Sequence, residues 1–245
     1  MMPLTRGVAV TAFTATSYGV ARVHMRATDE PGETFQRHLV PWARRTLRLL
    51  GGRPTIVGSP PEFRAKGRLV VANHRTAFDI LVLWSLFGGS FLARGDIARW
   101  PLINVPARDA QTVFVDRRDR RSGAQAIRAL RTALKGGRTV LVFPEGTTFV
   151  GDHVRPLHVG AFLASQRLDV DIVPVGLAYP LGVEWFRHSA GTHYRRLASH
   201  LRVPIGVAIG EPRSPGRAKD DAIAIRHTLQ DLVGVARSQI APHDQ

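Results

Sequence analysis

Short apolar runs rich in β-branched residues alternate with helical stretches from residue 55 to residue 238, and this alternation restricts the chain to an α/β fold with a sheet flanked by helices. The predicted strands are residues 55–57, 68–72, 90–93, 112–115, 139–143, 172–177 and 203–209. Helical stretches are predicted at residues 77–87, 122–135, 157–166 and 218–238, and Gly136 with Gly137 supplies a stop after the second. At 245 residues the chain can bury a substantial core as one domain, which leaves little room for a second catalytic unit. A hydrophobic fraction of 44% with 22% charged residues is ordinary for a compact globular protein.

The sheet region divides the chain into an N-terminal helical segment, residues 1–52, and a main domain, residues 53–245. Residues 7–23 are mildly apolar but carry Arg22 and many Thr, Ser and Ala, whereas a spanning helix needs about 20 predominantly apolar residues. The short basic start resembles a signal peptide, yet polar residues dilute the apolar stretch and no clear cleavage site follows. The segment reads as an interfacial or packed helix. Residues 35–50 mix Leu39, Trp42, Leu49 and Leu50 with Arg44, Arg45 and Arg48, a pattern that suits an interfacial helix or a surface helix packed on the core. Pro41 is expected to break its first turn.

A net charge of +15 draws the protein toward polyanions, whether anionic lipid, nucleic acid or a phosphate-bearing carrier. Arginine supplies nearly all of it, since Lys66, Lys135 and Lys219 are the only lysines, and gene base composition accounts for that as well as function does. The absence of cysteine excludes disulfides, thiolate metal sites and a cysteine nucleophile. A nucleic-acid partner is not expected, because no recognition helix or aromatic RNA-binding motif is legible.

Four segments carry candidate chemistry. In the first, the apolar run ending at Ala72 gives way to Asn73, His74, Arg75, Thr76, Ala77, Phe78 and Asp79. An imidazole can take a proton from an attacking hydroxyl near neutral pH, and a carboxylate on its other nitrogen fixes the tautomer. His74 and Asp79 can form that pair. Thr76-x-x-Asp79 also has the form of a helix capping box, and the two readings are compatible.

The second segment is the strand Val113-Phe114-Val115, which runs into Asp116 and Arg117; a guanidinium there can grip a phosphate, or the run is simply a solvated charge cluster. In the third, Phe143-Pro144-Glu145-Gly146-Thr147-Thr148 follows a strand and forms a turn that can present a glutamate and backbone amides. The fourth, Ile172-Val173-Pro174-Val175, is a buried strand or a pocket wall.

In order and spacing the four segments resemble the glycerolipid acyltransferase family that includes 1-acylglycerol-3-phosphate acyltransferases, over roughly residues 46–177. Its signatures are a His-x4-Asp block, an aromatic-rich strand ending in arginine, a Phe-Pro-Glu-Gly block and a late Val-Pro strand. The resemblance implies a single α/β domain with a mixed β-sheet flanked by helices, an N-terminal interfacial segment, and acyl transfer from acyl-CoA or acyl-carrier protein to a lysolipid hydroxyl. It implies that His74 is the general base, Asp79 its orienting partner and Arg117 the binder of acceptor phosphate. Glu145, Gly146 and Thr147 fall in the acceptor-binding block, and Arg94 stands where a basic residue is usual. Asn73, Phe143, Pro144 and Pro174 shape the site or its pocket.

No metal, cofactor or covalent enzyme intermediate is implied. The expected acceptor is 1-acylglycerol-3-phosphate, with lyso-ornithine lipid, another lysophospholipid or a specialised metabolite as alternatives. A silent lipid-binding module on the same fold would not need the intact His74 and Asp79 pair. The expected location is peripheral, on the cytoplasmic face of a membrane with an anionic surface. Two positions depart from the family pattern: Gln111 replaces the usual glycine opening the second block, and Thr148 replaces the arginine that usually ends the third.

Overall fold

The computed structural model describes residues 2–62, 66–95, 109–115, 120–185 and 189–240. Two helices, α1 (Met2–Arg26) and α2 (Pro31–Leu49), precede the sheet. The sheet holds seven strands: β1 (Gly52–Val57), β2 (Arg68–Ala72), β3 (Ser90–Arg94), β4 (Val113–Val115), β5 (Thr139–Val142), β6 (Asp171–Ala178) and β7 (Val203–Ile209). Helices α3 (Phe78–Phe87), α4 (Arg120–Lys135), α5 (Gly160–Ser165), α6 (Ala190–Ser199) and α7 (Ala218–Ser238) connect or follow them.

The strand order is β1-β7-β6-β2-β5-β3-β4. Every neighbouring pair is parallel except β6 with β7, so the sheet is mixed. Each predicted strand overlaps an observed one, because a parallel strand covered on both faces reads as a short continuous apolar run. β2 is the clearest case, buried along its whole length.

Its residues alternate between two cores. Val70 and Ala72 join Phe78, Val82 and Leu83 of α3 on one face, while Leu69 and Val71 meet Leu130 and Leu134 of α4 and Leu229 and Val233 of α7 on the other. Helix α6 has no counterpart among the predicted helices. Its polar sequence buries Leu197 and His193 and is capped by Ser189, whose side chain accepts from Thr192 N.

The helix α2 runs through Pro41 without a break. A proline inside a helix costs about 3 kcal/mol, and here buried Phe35 and Leu39 before it, with Ala43 and Leu47 after it, hold both halves against the core. The apolar face of α2 therefore turns inward, and Arg37, Arg44, Arg45 and Arg48 lie on the exposed side. In α1, Ala21 is buried beside Phe35 and Leu39, whereas Leu4, Val8, Val20 and Val23 are exposed. Among the described residues, no helix is long and apolar enough to cross a membrane.

Register carries the chemistry to one edge. Val71 of β2 lies opposite Val142 of β5 on one side and Pro174 of β6 on the other. The chain therefore leaves β2 at Asn73 and β5 at Phe143 side by side, at the carboxyl ends of parallel strands, where open α/β sheets bind ligands.

Candidate active site

Asn73 makes the first turn possible. Its Nδ2 donates to Leu177 O at 2.8 Å, and its Oδ1 accepts from Leu177 N at 2.7 Å. This pair anchors the start of the turn to β6 and lets the next residue leave the sheet.

His74 Nδ1 lies 2.7 Å from Asp79 Oδ2, and the imidazole is 18% exposed against 0% for the carboxylate. An ionised carboxylate only accepts, so Nδ1 carries the proton and the neutral ring keeps its lone pair on Nε2. Asp79 Oδ2 also accepts from Arg75 N at 2.6 Å and Thr76 N at 2.9 Å. The Thr76 contact is one half of the capping box. The other half is absent, because Thr76 Oγ1 pairs with His193 Nε2 at 3.0 Å instead. Asp79 thus caps the turn and orients the histidine with the same oxygen.

Glu145 braces the same turn from the next strand. Its Oε1 accepts from His74 N at 3.0 Å and from Arg75 Nη1 at 2.8 Å, and its Oε2 accepts from Arg155 N at 2.9 Å. Both side chains of the Arg75–Glu145 pair are buried. Arg75 additionally donates to His74 O, Gly151 O and His153 O, so it fastens the loop after β5 to the histidine turn. Gly146 sits at a φ of 83°, a left-handed conformation that favours glycine, and its N–H closes the turn on Phe143 O. Phe149 N donates to His74 O at 3.2 Å, and the Arg155 guanidinium lies 5.1 Å from the Phe149 ring centroid.

The amides around the histidine are occupied. Those of His74, Arg75 and Thr76 go to carboxylates, Ala77 N to His193 Nε2 and Gly146 N to Phe143 O. None of these five is spare to receive a developing oxyanion.

An aromatic run leads away from His74. Its ring stacks on Phe143 at 4.0 Å, Phe143 on Phe91 at 5.4 Å, and Phe91 meets Trp84 at 5.2 Å and Trp84 meets Trp42 at 6.0 Å. Trp84 and Trp42 line a small, partly open apolar pocket between α1, α2 and α3, together with Phe35 and Leu39.

Of the predicted site residues, the structure brings Asn73, His74, Asp79, Phe143, Pro144, Glu145 and Gly146 together. Pro144 O holds His158 N, and Thr147 is exposed on the turn. Pro174 is buried in β6, where its carbonyl accepts from Gly210 N. Arg94 ends β3, and Arg117 lies outside the described residues. Thr148 Oγ1 donates to Trp185 O and so faces protein. Gln111 holds a φ of 55°, the left-handed backbone expected of the glycine it replaces.

Sequence reasoning missed Arg75, Tyr179, His193 and Trp185. Trp185 stacks on His193 at 4.9 Å and its main-chain N–H donates to Arg75 O at 2.7 Å. Among the described residues, no group of three or more His, Cys, Asp or Glu side chains could hold a metal ion.

A sheet whose parallel strands deliver a carboxylate-oriented histidine and a Pro-Glu-Gly turn to one edge defines a class of acyl-transfer scaffold. Residues 55–178 match the family model described as Acyltransferase, and the chain belongs to that family. It is 32% identical over 158 residues to a lyso-ornithine lipid O-acyltransferase of Rhizobium meliloti (strain 1021), covering 64% of this chain and 52% of that protein. It is also 32% identical over 123 residues to a 1-acyl-sn-glycerol-3-phosphate acyltransferase of Neisseria gonorrhoeae, covering 50% and 48%. The chain thus spans about half the length of these two relatives. The crystal structure of the 1-acyl-sn-glycerophosphate (LPA) acyltransferase from Thermotoga maritima shares the fold, with a TM-score of 0.70 at 20% identity over 98% of this chain and 100% of that one.

Proposed function

We propose that the protein transfers a fatty acyl group from acyl-CoA or acyl-carrier protein to a lysolipid hydroxyl, with 1-acylglycerol-3-phosphate as the acceptor. The observation that carries this reading is the 2.7 Å contact between His74 Nδ1 and Asp79 Oδ2 on a partly exposed ring, which leaves Nε2 as a base. The acceptor hydroxyl gives its proton to Nε2 while its oxygen attacks the thioester carbonyl. Asp79 steadies the imidazolium so formed. The tetrahedral intermediate then collapses, breaks the carbon–sulfur bond and expels the thiolate, which takes the proton back from Nε2. The aromatic run that begins at Phe143 supports an acyl chain as part of the substrate.

Lyso-ornithine lipid is the second reading for the acceptor. Thr148 replaces a family arginine and bonds the Trp185 carbonyl, and a lyso-ornithine lipid O-acyltransferase of Brucella abortus (strain 2308) is 28% identical over 78% of each chain. The exposed Arg155, above Phe149, supports an anionic group on either acceptor.

Association with the cytoplasmic face of a membrane is proposed to be peripheral. The exposed Leu4, Val8, Val20 and Val23 of α1 and the outward arginines of α2 support contact with an anionic lipid surface.

The test is thiol release from an acyl thioester, read with a thiol-reactive dye against a panel of lysolipids. Turnover that depends on lysolipid is expected. A folded protein that releases no thiol with any acceptor overturns the reading.

A further inference from the structure

The three N–H groups that hold Asp79 all reach one oxygen, Oδ2. The other, Oδ1, is buried with no hydrogen bond of standard geometry. A buried acceptor left in that state is costly and calls for a donor.

Among the buried polar groups in the same condition, a donor lies in the same core cluster as the residues beside Asp79. The Tyr179 hydroxyl is also buried without a hydrogen bond of standard geometry. Tyr179 follows the end of β6, two residues after Leu177, whose N–H and C=O are both fastened to the Asn73 side chain. With the period-2 alternation of a strand, Tyr179 faces the same side as Leu177, toward α3. There it packs in the cluster of Phe78 and Val82, the residues that flank Asp79 along the helix.

We infer that the Tyr179 hydroxyl donates to Asp79 Oδ1 and is a positioning residue for the His74 and Asp79 pair. Burial first, and then the charge and hydrogen bonding of Asp79, push the phenol well above its ordinary pKa, so the hydroxyl keeps its proton and stays a donor. The donor comes from β6 and the carboxylate from α3, so the contact ties the general base's partner to the sheet. A carboxylate held at both oxygens cannot rotate about its terminal torsion, and His74 Nδ1 is then held in one direction.

The catalytic arm of this inference rests on the proposed acyl transfer, and a spectroscopic arm does not. Tyr179→Phe removes one oxygen and keeps a ring that is 1% exposed. The variant is expected to keep its fold with a lowered melting temperature, because Asp79 Oδ1 loses its donor, and to keep KM for both substrates, while kcat falls about tenfold, the loss of one hydrogen bond to a charged group. In parallel, the downfield proton resonance of His74 Nδ1–H, assigned with His74→Ala, is expected to move in Tyr179→Phe. An unmoved resonance overturns the inference, whether or not kcat falls. If the wild type turns over no thioester, the acyl-transfer reading fails and the resonance still decides the contact. Should the Phe variant fail to fold, 3-fluorotyrosine is incorporated at Tyr18, Tyr179 and Tyr194. A fluorine signal of Tyr179 that shifts in Asp79→Asn supports the contact, and one that does not shift overturns it.

Discussion

Arg75 Nη1 and Glu145 Oε1 form an ion pair at 2.8 Å with side chains 2% and 0% exposed, and the glutamate's two oxygens also hold the main chain at His74 and Arg155. Removing one member of a buried pair strands the other, at a cost of about 3–5 kcal/mol. Glu145→Ala is therefore expected to lower unfolding free energy by that order in a denaturant titration, as well as to reduce activity. An undiminished midpoint would mean that Glu145 serves the acceptor and not the framework.

His74→Ala is expected to abolish acyl transfer with the fold intact, because the ring is partly exposed and its Nε2 is the proposed base for the acceptor's proton. Thiol release and circular dichroism on the same sample check this. Near-normal turnover in the folded variant would sink the mechanism.

Asp79→Asn should lose both activity and stability. All three donors reach one oxygen, which the amide can supply only without the carboxylate's charge, so the contacts from His74 Nδ1, Arg75 N and Thr76 N weaken and the imidazolium loses its counter-charge. The comparable change in a serine protease triad lowers kcat about 10⁴-fold. A lowered melting temperature with unchanged kcat would leave the cap as Asp79's whole role.

Thr148→Arg is expected to raise the use of 1-acylglycerol-3-phosphate relative to acceptors lacking a terminal phosphate. A charge-assisted contact is worth about 1.5–3 kcal/mol, set against loss of the hydrogen bond to Trp185 O. Competition between the two acceptors in one assay measures the ratio. A wild type already selective for the phosphate acceptor, with no gain in the variant, would remove this position from acceptor choice.

Binding to vesicles containing anionic lipid is expected to fall as salt rises, since a polybasic contact is screened over about 10 Å at 0.1 M ionic strength. Cosedimentation across a salt series checks it. Retention that yields only to detergent would show a deeper anchor than the outer face of α1 supplies.

His38 predicts a pH effect on stability. Burial, then the neighbouring His24 and Arg37, lower its pKa from 6.5, and its Nε2 lies 2.9 Å from His24 Nδ1. The unfolded chain then binds the proton more readily, so this contribution is complete above 6.5 and is lost as pH falls through the lower folded value. Melting temperature should drop on acidification, and His38→Gln should flatten that limb. Parallel curves would dismiss the histidine pair as its cause.

The sheet was legible because β2, β5 and β6 are short apolar runs buried on both faces, and such runs need no partner to be recognised. His74 and Asp79 were legible because both lie in one local segment. Arg75, Tyr179 and His193 were not, since their meaning comes from partners far along the chain, as in the Thr76 to His193 contact across 117 residues. Glu145 was recognised as part of a motif, yet its bracing of the His74 turn appears only once the carboxyl ends of β2 and β5 stand side by side. The left-handed backbone at Gln111 shows the reverse case, a conformation that suits the glycine of the family pattern and is held here by another residue.

The double contact between Asn73 and Leu177 has a consequence for how the sheet ends. A side-chain amide carries a donor nitrogen and an acceptor oxygen, the two kinds of group that a peptide unit presents to a neighbouring strand. Asn73 therefore completes a rung of the ladder with its side chain, while its own main chain turns toward His74. The border of the sheet is sewn shut at the point where its thread departs, and the histidine gains an exit from the strand without leaving Leu177 frayed.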